Sequence, residues 1–66
     1  MRDYSKDIEE IPKLAKEWAG QKAVDFIEIY AVNRKMAISR VNRYFFKAVA
    51  AGQIKTHVED TYDIID

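Results

Sequence analysis

Only three residues in this chain, Pro12, Gly20 and Gly52, stop a helix or let the backbone turn left-handed without strain. Everything between them has to be regular structure or short polar connection. They divide the chain into an N-terminal arm (1–7), a helical body (8–51) and a C-terminal segment (53–65). With 66 residues there is room for one domain. With no cysteine there is neither a disulfide nor a thiolate zinc site to staple it. Stability has to come from apolar packing, and a hydrophobic content of 48% is enough for a compact core.

The first helix is expected over residues 8–19. Asp7 and Glu10 have the spacing of a capping box, Pro12 suits a first helical turn, and Ile11, Leu14, Ala15, Trp18 and Ala19 share one face. Gly20 then fits the left-handed position just past a helix end. The second helix, 22–32, is apolar nearly all round, with a polar strip at Asp25 and Glu28 only, which reads as a buried central helix. The β-branched and aromatic residues over 26–32 also support a strand; helix is the reading taken. After a break at 33–38, Ser39 is placed as N-cap of a third helix, 40–51, ending at Gly52. Val41, Phe45, Ala48 and Val49 face inward on it. Arg40, Arg43 and Lys47 form an outer basic stripe, and Asn42 and Phe46 lie on the flank. Beyond Gly52, Ile54, Thr56 and Val58 alternate with Lys55 and His57. Glu59, Asp60 and Thr61 make a polar turn, and Tyr62, Ile64 and Ile65 are apolar again, which is the pattern of a hairpin. The fold class expected is mainly α, a three-helix core with a C-terminal β-hairpin.

Segment 38–65 resembles the recognition helix and wing of winged helix-turn-helix proteins. Ser39 opens the helix, and Val41, Phe45, Ala48, Gly52 and Ile54 fall at the family's offsets. Ile38, Ser39 and Arg40 are similar to the start of many such helices. The resemblance covers less than half of the chain. Where that family has a short second helix ending just before the recognition helix, this chain has Asn33, Arg34 and Lys35. Either the helix at 22–32 serves as that element or the fold departs from a true winged helix.

Net charge is zero, but it is unevenly spread. Residues 31–58 carry Arg34, Lys35, Arg40, Arg43, Lys47 and Lys55 and no acidic residue, while 59–66 carry four acids and no base. Such asymmetry points to nucleic acid or to an acidic surface. The leading expectation is a small DNA-binding regulator. In it Arg40, Arg43 and Lys47 face the duplex, Arg34, Lys35 and Lys55 contact phosphates, and Asn42 reads an adenine edge. The alternative is a small adaptor or inhibitor, of phage or plasmid type, whose basic stripe meets an acidic protein surface. Phe46 is a candidate protein-interface residue, and the apolar second helix leads us to expect a homodimer.

Catalysis is not expected. One histidine, His57, makes no metal site by itself, the acids at 59–63 lack the spacing of a calcium loop, and no phosphate loop or nucleophile motif is present. Neither a cofactor nor a small-molecule substrate is implied. No apolar run approaches the ~18 residues of a membrane span. The acidic residues 1–10 do not read as a signal peptide, so a cytoplasmic protein is expected.

Overall fold

The computed structural model describes residues 2–57 and 62–65. Three helices, α1 (Ser5–Lys16), α2 (Ala23–Arg34) and α3 (Ile38–Ala50), are followed by two short strands, β1 (Lys55–Thr56) and β2 (Ile64–Ile65). This is the mainly helical architecture with a C-terminal hairpin that the periodicity implied.

The boundaries move for local reasons. Helix α1 begins three residues before the expected start. The Asp3 carboxylate accepts from the Ser5 amide at 2.9 Å, and the first helical bond runs from the Ile8 amide to the Tyr4 carbonyl. Asp7 is therefore no cap; it is inside the helix and buried. Pro12 sits within the helix, not in its first turn. The helical bond it cannot donate is the one to Ile8, a residue on the exposed side of α1. The helix ends at Lys16, not at residue 19. The amides of Glu17 and Trp18 turn back to Leu14 and Ala15, and Gly20 follows at φ 88°.

Helix α2 runs two residues further than expected and stops at Lys35, which adopts the left-handed conformation (φ 53°, ψ 49°). The amides of Met36 and Lys35 return to the carbonyls of Ala31 and Val32, the paired bonds of a Schellman stop. Gly52 (φ 79°) closes α3 in the same way, through Gln53 to Ala48 and Gly52 to Val49. Ser39 does not cap α3. The N-cap is Ala37, and Ser39 is the second residue inside the helix.

The core joins Ile11 and Ala15 of α1, Phe26, Ile27 and Tyr30 of α2, Val41 and Phe45 of α3, and Ile54 and Ile64 of the hairpin. Phe26 stands at its centre. Its ring lies 5.6 Å from Trp18, 5.8 Å from Tyr30 and 5.7 Å from Phe45. Contrary to the sequence expectation, α2 is not buried all round. It buries Ala23, Phe26, Ile27, Tyr30 and Ala31 and leaves Val24, Ile29 and Val32 exposed. A chain this short has no further layer to cover the outer side of a helix already packed on its neighbours.

The strands pair antiparallel, Lys55 with Ile65 and Thr56 with Ile64. Val58 and the turn at 59–61 lie outside the described residues. A third segment joins the sheet. Lys22, between α1 and α2, bridges to Asp63, the Gly20 amide donates to the Ile64 carbonyl at 2.7 Å, and the Ile64 amide donates to Gln21 at 2.8 Å. The hairpin is thereby tied to the start of α2 as well as to the end of α3.

Candidate nucleic-acid interface

Val41, Phe45 and Ala48 anchor α3 in the core, so the opposite side of that helix faces solvent. Asn42, Arg43 and Lys47 are all exposed there, with Ser39 at the head of the same face. None of the three has an ion-pair partner among the described residues. Arg43 is near the centre of the face at 100° per residue, and Asn42 and Lys47 lie to its two sides. Within one helix this presents two cations and a carboxamide that supplies both a donor and an acceptor.

The remaining sequence candidates separate from this group. The Arg40 guanidinium lies over the Tyr4 ring, 4.3 Å from its centroid, and donates to the Tyr44 hydroxyl at 3.3 Å. That hydrogen bond holds its charged form above its ordinary range. Arg40 therefore belongs to the seam between α1 and α3, at the edge of the outer face. Arg34 points inward. Its Nε donates to Asp7 at 3.1 Å, and its Nη1 is 3.9 Å from Glu10. With two carboxylates beside it, Arg34 is poorly placed to neutralise a phosphate. Lys35 is exposed at the turn between α2 and α3, and its carbonyl accepts from Arg2 at 3.2 Å. Lys55 lies away on β1, lining a groove between α1 and the hairpin. Phe46 is half-buried, with its ring 5.1 Å from Phe45 and 5.3 Å from Tyr62. It bridges the core to the hairpin and leaves Tyr62 exposed beside α3.

A buried cluster joining α1 to α2 was not anticipated. Asp7 is 1% exposed. It accepts from the Tyr30 hydroxyl at 2.9 Å and from Arg34, with Arg2 3.8 Å away. Burial, then the bond to Asp7, pushes the Tyr30 phenol well above its ordinary range. A signal for Asp7 does exist in the sequence: it stands four and eight positions before Ile11 and Ala15, on their apolar stripe. The competing capping-box spacing with Glu10 obscured it.

Among the described residues no group of three or more His, Cys, Asp or Glu gathers where it would hold a metal ion, and no helix is long and apolar enough to cross a membrane. No family model, curated protein or solved structure matches the chain.

Proposed function

We propose that this chain is a small DNA-binding regulatory protein, working in the cytoplasm, that lays the outer face of α3 on duplex DNA. The observation that carries this reading is the exposed trio Asn42, Arg43 and Lys47 on a helix that the core holds outward, within 28 residues free of any acid. The connection supports it. Helix α2 stops at a left-handed Lys35 and α3 begins three residues later, the helix–turn–helix arrangement that presents a second helix to a major groove. The hairpin packed beside α3 is where a wing would be.

Arg43 is suited to a guanine edge, because its planar fork pairs bidentately with O6 and N7. Asn42 matches an adenine edge. Lys47 and Lys35 are point charges suited to phosphates. Titration of duplex DNA at several salt concentrations tests the reading. Wild type is expected to bind at low salt and weaken as salt rises, because each neutralised phosphate releases counterions. Lys47→Ala should reduce the log–log salt slope by about one unit on every sequence. Arg43→Ala should cost about 1–3 kcal/mol and relax preference at one base pair. Lys6→Ala, on exposed α1, should change little. Failure of wild type to bind at low salt, or equal losses from Lys6→Ala and Arg43→Ala, would reject the proposal.

A further inference from the structure

Two surfaces lie away from the exposed trio on α3. The first is the outward face of α2. Val24, Ile29 and Val32 are 50%, 46% and 74% exposed on it, and Asp25 and Glu28 lie among them. Neither acid has an ion-pair partner among the described residues. The second is the groove between α1 and the hairpin, with a volume of about 690 Å³. Ile8, Pro12 and Ile65 contribute its apolar lining, and Lys16 and Lys55 line it with no ion-pair partner among the described residues. Lys13 is there too, 3.5 Å from Glu9.

We propose that these two surfaces fit one another between copies of this chain: the outer face of α2 on one molecule seats in the α1–hairpin groove of the next. The argument is complementarity in two respects. Each surface exposes apolar side chains whose contact with water is costly. Among the described residues, one surface carries Asp25 and Glu28 without ion-pair partners and the other carries Lys16 and Lys55 without them. The two share no residue, so one molecule can use both at once, as donor to one neighbour and acceptor from another. A two-fold pairing of α2 with α2 fits worse, because it gathers Asp25 and Glu28 from both copies into the middle of one contact, with bases only at the helix ends, Lys22 and Lys35. Docking one surface onto a different one is heterologous, so assembly continues beyond two copies unless the rotation happens to close a ring. The proposal does not depend on the DNA reading and is tested without DNA.

Sedimentation velocity from micromolar to millimolar protein at low salt should show a weight-average coefficient that climbs past that of a dimer. Glu28→Lys puts a base on α2 opposite a basic groove, and Lys16→Glu puts an acid in the groove opposite an acidic α2. Each variant alone should remain monomeric, with the circular dichroism of wild type showing that it is folded. Mixed in equal amounts they should assemble again, because every junction between unlike copies then pairs opposite charges. Arg43→Ala should assemble as wild type does, which separates this contact from the α3 face. Three results would overturn the proposal: wild type monomeric throughout, growth that stops at a dimer, or folded single variants that do not recover on mixing.

Discussion

Replacing Phe45 with alanine is expected to destabilise the domain by about 3–5 kcal/mol, the usual cost of truncating a fully buried aromatic. Phe45 is 0% exposed and meets Phe26 on one side and Phe46 on the other. Removing it opens a hole where α2, α3 and, through Phe46 and Tyr62, the hairpin lean together. A chain of this size holds roughly 3–10 kcal/mol in all, at the usual value per residue. The variant should therefore lose at least about 12 °C in Tm, since each kcal/mol shifts the midpoint by about 4–8 °C in so small a domain. Phe46→Ala, at a half-buried site, should lose less than half as much. Equal melting of wild type and Phe45→Ala would mean that this ring does not organise the core.

The second large effect is expected at Asp7. Its carboxylate is the acceptor for a buried tyrosine hydroxyl and for an arginine, so Asp7→Ala removes both bonds together. A buried hydroxyl left without a partner costs about 1–3 kcal/mol, and a hydrogen bond to a charged group contributes about 1.5–3 kcal/mol. Arg34 is 39% exposed and can turn toward water, which offsets part of that loss. A net cost of about 2–4 kcal/mol follows. Adding Tyr30→Phe to Asp7→Ala should restore part of it, because the stranded hydroxyl is then gone. Urea titration of wild type, the single variant and the double variant measures both numbers. A double variant less stable than Asp7→Ala would show that the hydroxyl was not the stranded group.

The helical body was legible because its signals were local. Gly52 terminates α3 at positive φ as its chemistry requires, Gly20 takes positive φ in the turn that follows α1, and Val41, Phe45 and Ala48 bury the face that their spacing marked. The alternation of Ile54, Lys55 and Thr56 was legible for the same reason. What the sequence hid depended on distant partners. The stop at Lys35 puts a lysine where glycine is usual, and only the return bonds to Ala31 and Val32 reveal it. Asp7 reads as a cap until Tyr30 and Arg34 are found beside it. The basic stripe on α3 was visible as a pattern, but the pattern could not say that Arg40 lies over Tyr4 or that Arg34 turns inward to Asp7. The exposed side of α2 was misread because apolar content all round a helix implies burial only where the chain is long enough to supply a cover.

The hydrogen bonds between Ile64 and residues 20 and 21 close a loop of chain that encloses α2, α3 and β1. Closing such a loop costs chain entropy, and no contact near in sequence repays it. The turn-and-strand pairing at Gly20 and Ile64 therefore exists only while the enclosed helices stay packed. Its amides belong to the whole domain's cooperative unit, although they lie in a turn and a strand two residues long. In deuterated buffer the Gly20 and Ile64 amides should exchange at the rate set by global unfolding, as core helix amides do. Faster exchange at these two than at Phe45 would show instead that the C-terminal strand peels away as a separate unit.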